Sequence, residues 1–337
     1  MICLNCFLCR TGETAQNEQN IPPDLNSSLS FSKRNPLGKG QHASVLRGTF
    51  AGRRVAVKRY NSETEEWTTE SAVFRKLGGQ THTNIVETLG VGKVGTLIKS
   101  RVCVLQFCPK SLEDSLNAQE PVSMRDRVMQ IAGIADGVCF LHQNEILHLD
   151  IKPANILLDT HGIPKLCDFS ISAVLPCYDD QLIFGGCCFY LAPELSGGRE
   201  EPLPDNYFCE IADSFGMGFA AYCICKNNCE STAMWDERVI WASGRNKPQK
   251  HLVSIFDFEQ HAVSGIYQHF LGEESVDLND DRRNHSTMSA EDNELCGKIM
   301  HDLAKPALKV NHQTRLKPTA FRQKAQRLAR RTMVTTL

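Results

Sequence analysis

The sequence predicts an α+β fold with two lobes, in which a small antiparallel β lobe carrying one helix precedes a larger, mainly α-helical lobe. Residues 31 to 107 contain short runs rich in β-branched residues, such as ASVLRGTF and RRVAVKRY, separated by glycine turns. One helical stretch, TEEWTTESAVFRKL, interrupts them. After Lys110 apolar residues recur at helical spacing, most clearly in MRDRVMQIAGIADGVCFLHQ. We therefore place the junction of the lobes near Cys108.

The ends of the chain are predicted to lie outside this domain. Residues 11 to 30 are polar and contain prolines, so we expect residues 1 to 30 to form a flexible, cysteine-containing leader. The domain is predicted to cover residues 31 to 332, with lobes at 31 to 107 and 108 to 332 and a tail at 333 to 337. Within the second lobe, further helices are expected around residues 211 to 225, 251 to 271 and 294 to 308.

Composition and charge narrow the class of protein. The 337 residues carry 37 basic and 39 acidic side chains, and this balance gives no reason to expect nucleic-acid binding. No apolar run is long enough to span a bilayer. The fifteen cysteines are scattered through apolar runs, so we expect most of them to be reduced, buried thiols. These features predict a soluble, intracellular, cytoplasmic protein.

Three cysteines near the start, Cys3, Cys6 and Cys9, stand beside apolar residues. They could accept palmitate and tether the leader to a membrane. Metal binding is a second hypothesis, although no nearby histidine or fourth cysteine completes a zinc site. The third is that they have no special role.

A glycine-containing turn opens the predicted β lobe in the run LGKGQHASV. Gly38 and Gly40 would let backbone N–H groups approach phosphate oxygens, which a Cβ would obstruct. Ala43 stands where a third glycine is usual, and an ordinary hairpin is the alternative interpretation. The candidate nucleotide-binding residues of this run are Leu37, Gly38, Lys39, Gly40, Gln41, His42, Ala43, Ser44 and Val45.

Lys58 lies at the end of an apolar strand in RRVAVKRY. An inward-facing lysine costs free energy unless a carboxylate or a phosphate accompanies it. Glu70, in the helix that follows, could supply the carboxylate. The alternative is that both are solvated surface charges.

The run ILHLDIKPANILLDTHGIPKLCDFS is the most informative segment. Pro153 prevents a helix from continuing through it, so the polar residues before Ile156 are expected on an ordered loop between short apolar strands. Phosphoryl transfer needs a carboxylate for the proton of the attacking hydroxyl, a cation for the γ-phosphate and oxygen ligands for Mg²⁺. The residues that fit these roles, in that order, are Asp150, Lys152, Asn155 and Asp168.

These segments resemble the eukaryotic protein kinase family, in the family's order, from Leu37 to Leu328. LGKGQHASV is similar to the glycine-rich loop, VAVK to the strand with the lysine, HLDIKPANILL to the catalytic loop, DFS to the metal-binding DFG and LAPEL to the end of the activation segment. The resemblance implies a two-lobed protein kinase fold that binds ATP and Mg²⁺ and phosphorylates a protein substrate. Lys152 is the choice of serine/threonine kinases.

The resemblance also implies finer roles. VLQFCP would be the hinge, with Leu105 as the gatekeeper and the backbone of Gln106 and Cys108 bonded to adenine. HLDIKPANIL is most similar to the Mos group, and a diverged viral member is the alternative. The rival functional hypothesis is a pseudokinase that acts as a nucleotide-binding or scaffolding regulator.

The sequence departs from the family's pattern beside the candidate site. Leu149 replaces the arginine that gathers an activation-loop phosphate, so we expect no control by that phosphate. Ser170 replaces the last glycine of DFG, which limits a positive φ there. Cys187 stands where a threonine usually bonds the catalytic aspartate, and a thiol is a weaker donor.

Two further positions are left open by the sequence. The helix aspartate that braces the catalytic loop is absent at the aligned Ile211, although Glu210 or Asp213 could substitute for it. Arg315 is the candidate partner of the glutamate in LAPEL, with Lys317 as its competitor.

Overall fold

The computed structural model describes the part of the chain from Leu25 to Val334, with gaps. The described residues are 25–32, 34, 36–40, 43–62, 64–95, 100–175, 192, 210–227, 289–308 and 312–334. The predicted helix at 251 to 271 lies outside them, as do Cys3, Cys6, Cys9, Gln41, His42, Cys187 and Glu194. Within these ranges no helix has both the length and the apolar character needed to cross a membrane.

The first lobe is built on a six-stranded antiparallel sheet in the spatial order β1-β3-β4-β6-β5, with β2 paired to β3. Its strands are β1 (Leu29–Phe31), β2 (Gly38–Lys39), β3 (Ala43–Phe50), β4 (Arg53–Tyr60), β5 (Thr88–Val94) and β6 (Ser100–Gln106). Side chains alternate across β4, so Val55 and Val57 join one apolar cluster while Ala56 and Tyr60 join another. Lys58 therefore shares the second face.

The predicted leader is too long at its C-terminal end. Residues Leu25–Ser28 form a short helix, α1, and β1 pairs with β3. Leu25 is buried in the apolar cluster of the sheet, and the Asn26 Oδ1 accepts a hydrogen bond of 2.9 Å from the Gly95 N–H. The sequence did not predict this order, since residues 11 to 30 are mostly polar. One buried apolar side chain and the pairing of one added strand are enough to order the C-terminal part of the segment.

The longer of the two described helices of this lobe, α2, covers Glu65–Leu77 as predicted. Thr64 caps its N-terminus by accepting a hydrogen bond from the Trp67 N–H, and Gly78 ends it with a φ of 56°. The face turned to the sheet buries Trp67, Glu70 and Phe74. Glu70 thereby enters the space that Lys58 faces.

The second lobe is mainly helical, which confirms the predicted fold class. Its helices are α3 (Leu112–Asn117), α4 (Met124–Gln143), α5 (Glu210–Lys226), α6 (Ala290–Ile299), α7 (Lys305–Ala307) and α8 (Pro318–Val334). A π-helical turn, Met300–Ala304, joins α6 to α7. The helix predicted at 294 to 308 therefore starts earlier, at Ala290, and is irregular. Helix α4 packs against both α5 and α8.

Short strands frame the polar loops between α4 and α5. They are β7 (Lys110–Ser111), β8 (Ile146–Leu147), β9 (Ile156–Leu158), β10 (Pro164–Leu166) and β11 (Ala173–Val174). Strand β9 pairs with β7 and β10, while β8 pairs with β11. The loop from His148 to Asn155 joins β8 to β9, and the loop after Leu166 joins β10 to β11. Both loops consequently run between the same two small sheets, side by side.

One pair of cysteines differs from the expectation of reduced thiols. Cys225 of α5 and Cys296 of α6 form a disulfide, with their Cα atoms 5.8 Å apart. Within the described residues Cys103, Cys108, Cys139, Cys167 and Cys223 are thiols, as expected. The partners are 71 residues apart in sequence, and only the packing of α6 beside α5 brings them together.

Candidate active site

The polar side chains of the loop between β8 and β9 converge on Asp150. Lys152 Nζ lies 3.0 Å from Asp150 Oδ1 and 2.7 Å from Oδ2. Asn155, at the end of the single turn Pro153–Asn155, donates its amide to the backbone oxygen of Asp150 at 3.0 Å and to Oδ2 at 2.6 Å. The proline turn therefore folds Asn155 back onto the carboxylate.

Asp213 of α5 braces this loop, and the alternative Glu210 does not. The Asp213 Oδ1 accepts from the Leu149 N–H at 2.8 Å, and Oδ2 accepts from the His148 N–H at 2.9 Å. His142 Nε2 lies 2.8 Å from the same Oδ2. Burial alone would raise the pKa of Asp213, but the hydrogen bond and charge of His142 and the His148 bonds hold it below its usual value.

The bracing contact stabilises an unusual backbone. Leu149 has a φ of 64°, a left-handed conformation that a branched side chain rarely adopts. Its N–H and that of His148 are both fixed by one buried carboxylate. Arg315 supports the same region, since its guanidinium donates to the Ile211 oxygen at 3.2 Å and is buried, whereas Lys317 is exposed.

Lys58 stands between two carboxylates. Its Nζ lies 2.9 Å from Glu70 Oε2 and 2.7 Å from Asp168 Oδ1. The Glu70 side chain has no exposed surface and that of Lys58 is 12% exposed, so the interpretation of both as solvated surface charges is wrong. Burial alone would lower the pKa of Lys58, but Glu70 and Asp168 hold it well above its usual value. The pKa of Asp168 is lowered, because Lys58 outweighs the opposing effect of burial.

Phe169 connects helix α2 to the catalytic loop. Its fully buried ring packs edge-on against Phe74, with 5.5 Å between centroids, and at a tilt against His148, with 5.2 Å between centroids. Its N–H donates to Glu70 Oε1 at 3.3 Å. The aspartate before it has a φ of 64°, whereas Ser170 is not among the described residues with a positive φ. The described backbone therefore needs no positive φ at Ser170, and the left-handed position of this run is Asp168.

The glycine-containing turn is partly described. Gly38 is opposite Val45, the Leu37 N–H donates to the Val45 oxygen at 2.8 Å, and the Gly40 N–H donates to the Ala43 oxygen at 2.9 Å. A Cβ at Gly38 would meet no described protein atom within 4 Å. Packing among the described residues therefore gives no reason for glycine at this position.

The candidate hinge follows β6. Leu105 is buried, opposite Ala56 of β4, and the Gln106 N–H donates to the Glu87 oxygen at 2.8 Å. Cys108 is half-buried, and burial raises the pKa of its thiol to about 11. Cys108 is therefore a neutral thiol at physiological pH.

The chemistry of the donors fits a magnesium ion. Asn155 uses its amide nitrogen for Asp150, which leaves its oxygen as an acceptor, and Asp168 supplies a carboxylate with a side chain that is 37% exposed. Mg²⁺ takes one or two protein oxygens and completes its shell with phosphate and water. Among the described residues no group of three or more His, Cys, Asp or Glu side chains could hold a metal ion. Asn155 and Asp168 offer two oxygens of the kind that Mg²⁺ takes from a protein.

Two side chains beside these groups escaped the sequence analysis. Tyr60 is buried and its hydroxyl bonds Glu70, and His142 bonds Asp213. Tyr60 was detectable in principle, because residues two apart on a strand share a face and Lys58 was already placed inward. His142 gave no such signal, since its partner lies 71 residues away.

The fold and the convergent site define a member of the protein kinase class, and comparison with known families agrees. The protein kinase domain family matches residues 31–325. The chain belongs to this family.

Individual relatives are moderately similar. The chain is 33% identical over 233 residues to a G-type lectin S-receptor-like serine/threonine-protein kinase of Arabidopsis thaliana, covering 64% of this chain and 27% of that protein. It is 32% identical over 196 residues to the mitogen-activated protein kinase kinase kinase dlk-1 of Caenorhabditis briggsae, covering 58% and 21% respectively. The chain thus spans about a quarter of the length of these relatives.

Proposed function

We propose that this chain is an ATP-dependent serine/threonine protein kinase that transfers the γ-phosphoryl group to a protein hydroxyl. The observation that carries the proposal is the pair of assembled clusters, Lys58 with Glu70 and Asp168, and Asp150 with Lys152 and Asn155. Buried charges are costly unless they are paired or used, and their convergence in these two clusters supports a role in handling phosphate.

The proposed mechanism assigns one task to each group. Asp150 orients the substrate hydroxyl and accepts its proton, while Lys152 moves from Asp150 to the γ-phosphate. Lys58, held by Glu70, positions the α- and β-phosphates. Mg²⁺, held by Asn155 and Asp168, would neutralise phosphate charge. The backbone of Gln106 and Cys108 would bind adenine, under the turn from Leu37 to Val45.

The finer assignments belong to the same proposal. Lys152 and the serine/threonine kinases among the relatives support a hydroxyl of serine or threonine as the acceptor. Leu149 supports activity that does not depend on an activation-loop phosphate, because it offers no cation to pair with one. Membership of the Mos group, or a diverged viral origin, rests on the run HLDIKPANIL and is tested by a phylogeny of the domain.

The proposed activity is tested by radiolabel transfer from Mg-ATP to a generic protein substrate. We expect the wild type to incorporate label and both Asp150→Asn and Lys58→Met to lose at least about a hundredfold of the rate, because each removes a charged group that acts in the transition state. Equal background incorporation by all three proteins would refute the enzyme hypothesis. Stabilisation by Mg-ATP without turnover would support the pseudokinase.

We also propose a cytoplasmic location with a membrane tether through acylation of Cys3, Cys6 and Cys9. The support is their spacing beside apolar residues. Hydroxylamine-sensitive labelling with a palmitate analogue, lost when all three are changed to serine, is the test. Absence of the label from the wild type, together with its recovery in the cytosolic fraction, would refute the tether.

A further inference from the structure

Tyr60 occupies a buried position between the strand and helix that carry the ion pair. It is the last residue of β4, two residues after Lys58, and its side chain lies on the same face. Its hydroxyl donates to Glu70 Oε2, the same oxygen that lies 2.9 Å from Lys58 Nζ. The ring packs edge-on against Trp67 of α2, with 5.5 Å between centroids, and the Lys58 Nζ lies 5.5 Å from the ring centroid.

The protonation state suits a donor. Burial raises the pKa of the Tyr60 hydroxyl, and the Glu70 carboxylate raises it further. The hydroxyl therefore keeps its proton at neutral pH and donates to Glu70. Each oxygen of this buried carboxylate then has a donor, Tyr60 and Lys58 on Oε2 and the Phe169 N–H on Oε1.

We propose that Tyr60 is a positioning residue for phosphoryl transfer, which fixes the Glu70 carboxylate so that Lys58 is held for the phosphates of ATP. The inference rests on the proposed function. Without the Tyr60 hydroxyl, Oε2 would keep only Lys58 as a donor, so the buried Glu70 carboxylate would move or draw Lys58 into a different place. Tyr60 thus acts on ATP through Glu70 without touching it.

Two contacts join the C-terminal end of α2 and the turn after it to the helical lobe. Lys76 Nζ lies 2.6 Å from Glu145 Oε2, and Gln80 donates to Asn144 at 3.2 Å, so the C-terminal end of the helix is fastened to the helical lobe. Tyr60 fastens the middle of the helix from the sheet side. With Leu149 offering no site for a phosphate, these fixed contacts hold α2 in the position where Glu70 meets Lys58.

The first test is Tyr60→Phe, which removes the hydroxyl and retains the ring against Trp67. In steady-state kinetics we expect kcat/KM for ATP to fall about tenfold through a higher KM for ATP, with the KM for the protein substrate unchanged, since a hydrogen bond to a charged group is lost on the ATP side only. Tyr222→Phe, the same chemical change in α5 and away from Glu70 and Lys58, is the matched control and should keep the wild-type KM for ATP. A Tyr60→Phe enzyme with wild-type constants would overturn the inference.

The second test separates positioning from packing. If Tyr60 acts through Glu70, the double variant Tyr60→Phe, Glu70→Gln should have the same KM for ATP as Glu70→Gln alone. Multiplication of the two single effects would overturn the inference, because Tyr60 would then act by another route. Thermal unfolding of each variant identifies any loss of folded protein. The KM values of all variants are compared at a temperature below the lowest unfolding midpoint among them.

The failure of the proposed function has a different signature. If the wild type transfers no phosphate, the enzyme proposal fails, and the role of Tyr60 is then decided by Mg-ATP affinity, measured from thermal stabilisation. We expect Tyr60→Phe to bind Mg-ATP about tenfold more weakly than wild type, and Tyr222→Phe to bind like wild type. Equal affinity of wild type and Tyr60→Phe would overturn the inference in either case.

Discussion

At the scale of single residues, the site concentrates its strain at two positions. Leu149 and Asp168 both have a φ of 64°, and each stands beside a group with a proposed chemical role. Leu149 is fixed by the buried Asp213, while Asp168 is held by Lys58. These long-range partners make the strained backbone the lowest-energy arrangement.

Asp213→Asn should therefore destabilise the protein. In this variant an amide NH₂ group would replace Oδ2, the oxygen bonded to the His148 N–H and to His142. A donor would then face donors, and we expect a loss of about 2 kcal/mol in unfolding free energy at pH 7. Urea unfolding measures it. Glu210→Gln, three residues earlier in α5, is the matched control and should change stability by less than about 0.5 kcal/mol.

The pH dependence gives a second check on Asp213. Its pKa is lower in the folded protein, so its contribution to stability is complete above the unfolded pKa and is lost as the pH falls through the folded pKa. The stability difference between wild type and Asp213→Asn should shrink as the pH is lowered below about 4. A constant difference would show that the charge of Asp213 is unimportant.

At the scale of elements, helix α5 approaches the catalytic loop through a glycine. A Cβ at Gly216 would lie 2.7 Å from both the backbone oxygen and the Cβ of Ile151, the residue after Asp150. Backbone atoms cannot yield as the end of a flexible side chain can. The close approach is what brings Asp213, one turn earlier, into reach of the loop.

Gly216→Ala should move the loop away from α5. We expect a loss of about 2 kcal/mol in unfolding free energy and a lower transfer rate, because overpacking a core contact costs about 1 to 3 kcal/mol. Gly297→Ala in α6 is the control, because a Cβ there meets no described atom within 4 Å. It should stabilise the protein by up to about 1 kcal/mol through helix propensity. Equal effects of the two substitutions would contradict the packing argument.

The elements themselves were largely predictable. Runs rich in β-branched residues located β3 and β4, and helical stretches located α2 and α4, because each pattern lies within the sequence of the element itself. Asp213 was predictable only as one of two alternatives, since a helix places residues 210 and 213 about one turn apart and their surroundings decide. The order at residues 25 to 30 depends on distant partners, which no local pattern reveals, whereas Tyr60 was detectable from its place on the strand of Lys58.

At the scale of the whole molecule, the disulfide ties α5 to α6 across 71 residues of chain. Closing a loop of that length removes entropy from the unfolded chain, by about 4 kcal/mol in the chain-entropy model. The link therefore joins the helix that braces the catalytic loop to the helical region that precedes α8.

Reduction should weaken the protein measurably. We expect dithiothreitol to lower the free energy of unfolding of wild type by about 2 to 4 kcal/mol, and to have no effect on Cys225→Ser. Cys223→Ser, a reduced and buried neighbour in α5, should keep its response to dithiothreitol. If the unfolding midpoint of the wild type were the same with and without dithiothreitol, the disulfide would not contribute to stability in solution.

The contact between Lys152 and both oxygens of Asp150 has a kinetic consequence. Oδ2 also accepts from Asn155, so Oδ1 is the oxygen that a departing Lys152 would release. In the proposed mechanism, nucleotide would draw the lysine toward its terminal phosphate and so free this oxygen of Asp150 to accept from an incoming hydroxyl. Encounter with the protein substrate would then be productive mainly after nucleotide has bound, so a single shared cation would impose an order of addition on the two substrates.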